Sequence, residues 1–200
     1  MTILGFAQRP FRYVSPEFNV IASSHQQLAI LPFDVTLVMR FNGTNQLSLR
    51  ELEIQEGFAV QSLLETSLLR KKAQKGFKVS FQEISTTNNI LEQNNITADN
   101  IAQYSRVQLA NVLGVDGIVY GYMRSSQLIS NSTSFLIGLA GGWPPPTIIG
   151  ELRIQVADAT DGEVLWRYET FQEGGLGSSN DRVANFMLRR ASRRFPYKRL

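Results

Sequence analysis

Hydrophobic residues follow two different patterns that alternate along this chain. Short apolar runs rich in strand-forming residues lie at 28–35, 77–81 and 118–123. Between these runs, over 51–73 and 98–113, apolar residues recur every three to four positions, which is the spacing of amphipathic helices. The pattern therefore predicts strands that alternate with two long helices.

The pattern changes in the second half of the chain. Two runs of strand-forming residues, 150–157 and 163–168, flank the dipeptide Asp161-Gly162, which is typical of hairpin turns. A further amphipathic segment over 181–194 predicts a C-terminal helix. Its inward-facing residues are Val183, Met187 and Ala191. The complete order predicts the α/β (α+β) class, namely a mixed sheet of about five strands with the two long helices and the C-terminal helix packed mainly on one face.

The predicted helices have identifiable ends and faces. Thr97 is placed to cap the second helix, and Gly114 follows its last turn. The first helix ends in basic residues followed by Gly76, which suits the negative end of the helix dipole. Three-to-four spacing assigns the buried face of the first helix to Phe58, Ser62, Leu63, Thr66, Leu69 and Ala73.

The amino-acid composition restricts the class of protein and the kinds of site that are possible. The chain has 200 residues, of which 43% are hydrophobic and 18% are charged, a balance typical of a globular domain. Residues 28–200 are predicted to form a single α/β domain, preceded by an extended arm over 9–27. No cysteine is present, so disulfides, thiolate nucleophiles and zinc–thiolate sites are excluded. The apolar run over 135–143 is much shorter than the ~20 residues of a transmembrane helix.

Residues 1–8 have features of an export signal. A short apolar run contains Gly5 and Ala7, at the two positions that a signal peptidase requires to be small for a cut before Gln8. The charged part and most of the hydrophobic part of a complete signal are missing. The segment is interpreted as the remnant of an export signal, and an ordinary hydrophobic first strand is the alternative.

Charge is distributed unevenly along the chain. The basic C-terminal tail, 182–200, holds seven basic residues and no acidic one, whereas the remainder has 13 basic against 17 acidic residues. This tail is a candidate for binding an anionic surface or nucleic acid. The alternative is the solvated face of an amphipathic helix whose cations favour the negative end of the helix dipole. The candidate anion-binding residues are Arg189, Arg190, Arg193 and Arg194.

Reactive side chains are sparse, and none is predicted to form a catalytic, cofactor-binding or metal site. His25 is the only histidine, and there is no cysteine to join it in binding a metal. Asp158 and Asp161 belong to a turn that accounts for both, because Asx side chains bond to turn backbone. Asp116 is interpreted as a cap or turn residue. The glycines of 174–177 lack the lysine of a phosphate-binding loop, which favours a hinge loop.

The connection over 130–149 is predicted to be an apolar hairpin loop. It combines a tryptophan with a run of prolines, so it exposes hydrophobic area unless it packs on another surface. It is a candidate contact for a protein partner or for a second copy of the chain, and folding back on its own sheet is the alternative. The candidate partner-binding residues are Phe135, Leu136, Ile137, Leu139, Trp143, Pro144, Pro145 and Pro146.

Five segments carry a resemblance to a known group of proteins. They are LAILPFDV, EGFAVQSLLETSLLRKK, TTNNILEQNNIT, LANVLGVDGIVYGYM and LRIQVADATDGEVLWRYE, and the resemblance covers about 28–168. These segments resemble the envelope proteins grouped around the curli-secretion pore subunit, which include the penicillin-binding-protein activators and small lipoproteins with a TolB amino-terminal-like fold. The most specific parts are LGVDGIVYG and VADATDGEVLW.

The resemblance implies a non-catalytic α/β domain of the bacterial envelope that acts by binding or assembling. The lipid-accepting cysteine and the membrane hairpins of a pore subunit are missing, which favours an exported periplasmic or peripherally attached component without a transmembrane segment. We therefore expect a non-enzymatic binding or assembly module of the periplasm or cell envelope, without a cofactor, that contacts a protein partner or self-associates. The alternatives are nucleic-acid or anionic-surface binding through the basic tail, and an enzyme whose site only folding assembles.

Overall fold

Seven strands and five α-helices lie within residues 9–38, 46–125, 148–174 and 180–197, the parts of the chain that the computed structural model describes. The strands are β1 (Phe11–Val14), β2 (Gln27–Ile30), β3 (Asp34–Leu37), β4 (Ser80–Phe81), β5 (Gly117–Ser125), β6 (Ile148–Asp158) and β7 (Val164–Gly174). The helices are α1 (Phe18–Ile21), α2 (Gln46–Lys75), α3 (Ile84–Gln93), α4 (Arg106–Leu113) and α5 (Asn180–Arg194), and a 3-10 turn spans Ile101–Gln103. Within these ranges, no helix combines the length and the apolar character of a membrane-crossing segment.

The strands form one mixed sheet with the order β1-β7-β6-β5-β2-β4, in which β3 also pairs with β5. On one edge β5 is parallel to β2 and β3, and on the other it is antiparallel to β6. The strand β2 is also parallel to β4, whereas β6, β7 and β1 form an antiparallel series. The predicted mixed α/β sheet is confirmed, with seven strands where the sequence indicated about five.

Pro32 interrupts the strand predicted over 28–35 and divides it into β2 and β3. Leu31 still donates its N–H to β5 (2.9 Å), but Pro32 has no N–H to contribute. Phe33 then donates its N–H to the carbonyl of Gly57 in helix α2 (3.2 Å). After Phe33 the chain pairs with β5 again as β3. One edge of β5 is therefore hydrogen-bonded to two short strands, first β2 and then β3.

Helices cover both faces of the sheet. Successive side chains of a strand point to opposite faces, so Leu28 and Ile30 of β2 enter one core while Ala29 and Leu31 enter the other. The first core also contains residues of α2 and α5, and the second is formed with α3 and α4. This two-sided helix layer differs from the one-sided packing that the sequence indicated, and α4 has eight residues where a long helix was expected.

The buried side of α2 differs from the one that the spacing predicted. Phe58 is 40% exposed and Leu69 is 47% exposed, and Ser62, Thr66 and Ala73 are exposed as well. Among the described side chains of this helix, the buried apolar residues are Val60, Leu64 and Leu68. Leu63, which belongs to the predicted face, is half-buried against the first core. Apolar residues occupy both sides of α2, so the three-to-four pattern fits either side and the position of the sheet decides between them.

Helix α4 begins after Ser105, so the prediction that Thr97 caps this helix is wrong. The Ser105 hydroxyl accepts from the Gln108 N–H (3.1 Å), and the Gln108 side chain accepts from the Ser105 N–H (2.8 Å). This reciprocal pair is a capping box, which satisfies two donors at the start of the helix. Gly114 ends the helix in the left-handed conformation (φ 65°), as predicted.

The segment 9–27, predicted to be an extended arm, joins the sheet and the first core. It contains the edge strand β1, which pairs with β7, and helix α1, whose Phe18 enters the first core. Gln27 already belongs to β2. Residues 148 and 149 of the predicted loop begin β6, and the rest of that loop lies outside the described residues, as does the segment 1–8 that was interpreted as an export signal.

Replacing Gly57 by alanine is expected to destabilise the protein, although alanine favours helices more than glycine does. A methyl group at this position would overlap the carbonyl oxygen of Phe33, because α2 meets the junction of β2 and β3 backbone to backbone. We expect the free energy of unfolding to fall by about 1–3 kcal/mol, the usual cost of overpacking. Urea titration followed by circular dichroism measures this change.

Ser62→Ala is the control for this substitution, because Ser62 is exposed on the same helix. Its stability is expected to equal or slightly exceed that of the parent protein, since alanine has the higher helix propensity. A Gly57→Ala variant as stable as the parent would contradict the close approach of α2 to Phe33.

Candidate functional site

A buried cluster of polar side chains joins three distant parts of the chain. His25 precedes β2, Asp158 is the last residue of β6, and Tyr197 follows α5. His25 is separated from Asp158 by 133 positions and from Tyr197 by 172 positions. Leu28 pairs with Gly117, which pairs with Asp158, so the start of β2 and the end of β6 lie at the same end of the sheet.

The imidazole of His25 uses both of its ring nitrogens. Nδ1 lies 2.7 Å from the Tyr197 hydroxyl, and Nε2 lies 2.8 Å from Oδ1 of Asp158. A neutral imidazole satisfies both contacts when Nδ1 accepts from the hydroxyl and Nε2–H donates to the carboxylate. The rings of His25 and Tyr197 also stack, with centroids 5.8 Å apart. None of the three residues is more than 5% exposed, so the cluster belongs to the protein interior.

The surroundings shift the pKa values of the two partners of His25 in opposite directions. Burial raises the pKa of Asp158, but hydrogen bonds from His25 and Thr160 outweigh it and bring the pKa below its ordinary value. Burial also raises the pKa of Tyr197, and the negative charges of Asp158 and Asp116 raise it further. At neutral pH, Asp158 is therefore a carboxylate and Tyr197 is a neutral hydroxyl donor.

Asp116 binds the backbone next to this cluster. Its carboxylate accepts from the N–H groups of Gln26 (2.7 Å) and Gln27 (2.9 Å) at the start of β2. Its own N–H donates to the carbonyl of Gln27 (3.0 Å), and its carbonyl accepts from the N–H of Ala159 (3.1 Å). Asp116 therefore joins β2 to the turn between β6 and β7, a wider role than the local cap or turn that the sequence indicated.

In the turn between β6 and β7, aspartate side chains bond to the turn backbone, as predicted. The carboxylate of Asp158 accepts from the Thr160 N–H (2.7 Å), and that of Asp161 accepts from the Glu163 N–H (2.7 Å). Gly162 has a positive φ of 77°. These local bonds account for Asp161 completely but for only one oxygen of Asp158, because the other oxygen contacts His25.

The His25 cluster presents no exposed reactive atom. The Tyr197 hydroxyl is the one nucleophile that His25 contacts, and Tyr197 is 3% exposed. A cavity of about 230 Å³ adjoins Tyr197, and neither His25 nor Asp158 lines it. In the described ranges, no three His, Asp or Glu residues are grouped to hold a metal ion. The geometry thus suits a structural role, in which the cluster connects the start of β2, the end of β6 and the segment after α5.

A second candidate site lies on the sheet itself, on the side of α3 and α4. Cross-strand pairing places Tyr122, Arg153, Glu169 and Phe11 in one row across β5, β6, β7 and β1. Side chains at paired positions lie on the same face of a sheet. The next row consists of Tyr120, Gln155, Arg167 and Tyr13. These eight residues form the outer sheet face.

The charged and aromatic residues of the outer sheet face contact one another. Arg153 forms an ion pair with Glu169 (2.7 Å) and lies over the ring of Tyr122, 5.0 Å from its centroid. The Tyr122 hydroxyl donates to Glu151, and burial together with this bond raises the pKa of Tyr122 to about 12. Arg106 of α4 lies over the ring of Tyr120, 4.1 Å from its centroid. The face is therefore an ordered set of rings and guanidinium groups.

The structure describes some of the site residues predicted from the sequence and not others. Arg189, Arg193 and Arg194 are exposed on α5, and Arg190 is half-buried. Residues 175–177 of the predicted glycine loop lie outside the described residues. The candidate partner-binding residues also lie outside them, namely Phe135, Leu136, Ile137, Leu139, Trp143, Pro144, Pro145 and Pro146. Their role as a partner contact stays a prediction.

Acid pH is expected to destabilise the protein through protonation of Asp158. Its folded-state pKa lies below the ordinary value of about 3.9, so the carboxylate stabilises the fold above that pH, and this stabilisation is lost as the pH falls through the folded-state pKa. We expect the free energy of unfolding to fall with pH below about 4 more steeply in the parent protein than in Asp158→Asn. Urea titrations between neutral and acid pH measure the two slopes.

Asp161→Asn is the matched control, because Asp161 is exposed in the same turn and also accepts from a backbone N–H. It is expected to retain the acid dependence of the parent protein. The same acid dependence in Asp158→Asn as in the parent would contradict a stabilising role for the Asp158 carboxylate.

Solved structures of other proteins are similar to this chain over most of its length. PelC from Paraburkholderia phytofirmans, solved as a dodecamer, is 10% identical, with 91% of this chain and 92% of that chain covered and a TM-score of 0.45. Lipoprotein GNA1162 from Neisseria meningitidis is 11% identical, with 84% and 94% covered and a TM-score of 0.49. The C-terminal domain of LpoB from Salmonella enterica is 10% identical, with 78% and 93% covered and a TM-score of 0.36.

No protein-family model and no curated protein sequence matches this chain. PelC, GNA1162 and LpoB match the group of proteins that the sequence motifs indicated, at sequence identities of 10–11%.

Proposed function

We propose that this protein is a non-enzymatic binding or assembly module of the bacterial envelope and that its outer sheet face binds a protein partner. The observation that supports this proposal is the composition and exposure of that face. It places four aromatic rings beside two arginines on one side of the sheet. Aromatic residues and arginine are the residue types that protein interfaces concentrate.

Exposure is greatest where the outer sheet face reaches the edge strand β1. Phe11 is 53% exposed and Tyr13 is 39% exposed, whereas Tyr120 and Tyr122 are half-buried. When a second surface covers large rings that project from a strand into water, the burial of their apolar area lowers the free energy. The partner is therefore expected to contact β1 first and to extend over β7 and β6 toward β5.

The charged residues of the outer sheet face are held in place before any partner binds. The carboxylate of Glu169 lies 2.7 Å from Arg153 and 3.9 Å from Arg167. The three side chains are 30–37% exposed, so they remain accessible while they constrain one another. A surface whose rotamers are already restricted loses less conformational entropy on binding.

The envelope assignment rests on the sequence resemblance over 28–168 and on the export-like segment 1–8. The binding role also accounts for the location of the titratable groups in the fold. His25 and Asp158 are used in internal hydrogen bonds, whereas the outer sheet face leaves three tyrosines and two arginines at least partly accessible. A module that binds through its surface requires accessible side chains of this kind and does not require a reactive pocket.

A photo-crosslinking amino acid at Tyr13 or Tyr122 of the full-length protein is expected to form a discrete adduct with a partner in living cells. Both positions lie on the outer sheet face and would be covered by the partner. Immunoblotting detects the adduct and mass spectrometry identifies it. The same probe at Trp143 tests whether the apolar loop also contacts a partner.

Phe58 and Leu69 are the control positions, because both are exposed apolar residues of α2, which packs on the other face of the sheet. We expect no discrete adduct from them. A lack of adducts from Tyr13 and Tyr122, or the same adducts from the control positions, would contradict binding at the outer sheet face.

The native protein, expressed from its own gene, is expected in the envelope fraction of the cell. Fractionation with one cytoplasmic and one periplasmic marker protein measures this distribution. Recovery with the cytoplasmic marker would contradict the envelope assignment and would leave the binding role of the outer sheet face to be judged by crosslinking alone.

A further inference from the structure

The side of α5 that faces away from the core carries positive charge around one aromatic ring. Arg189, Arg193 and Arg194 are exposed, Arg190 is half-buried, and Phe186 is 52% exposed. The buried side of the helix consists of Val183, Ala184, Met187, Leu188 and Ala191. The apolar side of this amphipathic helix is thus used by the first core, and Phe186 stands among cations on the other side.

Arg12 of β1 extends this charge onto the edge of the sheet. The register places Arg12 opposite Tyr168 of β7, so both side chains lie on the α5 side of the sheet. Burial raises the pKa of Tyr168, and the positive charges of Arg190 and Arg194 act in the opposite direction. The cationic face therefore consists of Arg12, Phe186, Arg189, Arg190, Arg193 and Arg194.

The arginines of the cationic face have no internal counterion in the described parts of the chain. None of the five forms an ion pair there, whereas Arg50, Arg153 and Arg167 each lie beside a carboxylate. Positive charges gathered on one surface repel one another and raise the local electrostatic potential. A surface of opposite charge relieves that repulsion, so the cationic face is complementary to an anionic partner.

We propose that the cationic face binds an anionic lipid surface. Its arginines would contact lipid phosphates, and the ring of Phe186 would lie between the headgroups. A protruding aromatic ring flanked by arginines is the chemistry of helices that lie in a membrane interface. Val14 is 38% exposed on the same side of β1 as Arg12 and adds apolar surface next to the charge.

The arrangement of rings favours lipid over nucleic acid. Proteins that bind single strands stack successive bases on several aromatic side chains. On the cationic face the exposed ring is that of Phe186, and the exposed rings of Phe11 and Tyr13 project to the opposite side of the sheet. Lipid binding and partner binding thus use opposite sides of the sheet, so either proposal can fail without the other.

Sedimentation of the full-length protein with lipid vesicles tests this proposal. We expect binding to vesicles of phosphatidylglycerol and phosphatidylethanolamine at low ionic strength, and none to vesicles of phosphatidylcholine alone. The double variant Arg189→Gln/Arg193→Gln is expected to bind roughly 30-fold more weakly, given the usual contribution of one arginine near an anionic membrane. Added salt is expected to weaken binding by the parent protein.

Two controls match these substitutions. Arg106→Gln/Arg124→Gln removes the same charge from the opposite side of the sheet, and its vesicle binding is expected to equal that of the parent protein. Phe186→Ser is expected to bind vesicles more weakly, whereas Phe58→Ser, at an exposed ring of α2, is expected to bind like the parent. Circular dichroism verifies that all four variants are folded.

Two results would overturn the proposal. The first is a parent protein that remains in solution with the anionic vesicles, or an equal loss of binding in the two arginine pairs. The second is DNA binding that Arg189→Gln/Arg193→Gln abolishes while vesicle binding is absent, which would assign the cationic face to nucleic acid.

Discussion

Hydrogen bonding along both edges of β5 is the constraint on which the rest of this structure depends. One edge pairs with β6 over all nine residues from Gly117 to Ser125, and the other pairs with β2 and then with β3. Ile118 and Val119 of this strand enter opposite cores. A shift of β5 by one residue would exchange the two faces, so this register determines the position of α2 and α5 on one side and of α3 and α4 on the other.

The polar cluster at one end of the sheet fixes the segment after α5 to this frame. Tyr197 contacts His25 through its hydroxyl, and its carbonyl accepts from the Lys78 N–H (3.1 Å). Phe195 packs against Trp166 of β7, with ring centroids 5.6 Å apart. Hydrogen bonds and aromatic contacts thus act together on a short segment, and each buried polar group in the cluster has a partner, which avoids the cost of about 1–3 kcal/mol for an unsatisfied one.

This fixed frame relates the two proposed surfaces to each other. Arg12 and Phe11 are neighbours on β1, and they project to the cationic face and to the outer sheet face respectively. A protein partner on one side and a lipid surface on the other would then be held apart by the thickness of a single sheet and its helices. Under these two proposals the function would depend on the relative position of two surfaces and would require no reactive group.

Local features of this fold followed from the sequence alone. The order of the main strands and helices from β2 onward, the left-handed Gly114 and the turn at Asp161-Gly162 were predictable, because period, backbone conformation and Asx bonding depend on near neighbours. Strand β1, helix α1 and the division of β2 from β3 were not. The sequence did not determine which side of α2 is buried, since apolar residues lie on both sides and only the sheet selects Val60 over Phe58.

The candidate sites were decided by tertiary structure. Asp158 had an ordinary local interpretation as a turn residue, and no spacing signal links it or Tyr197 to His25, more than a hundred positions away. The outer sheet face and the place of Arg12 beside α5 depend on the strand order β1-β7-β6-β5-β2-β4, which differs from the order along the chain. Local chemistry is encoded by neighbouring residues, whereas a surface is assembled from strands that only long-range hydrogen bonding brings together.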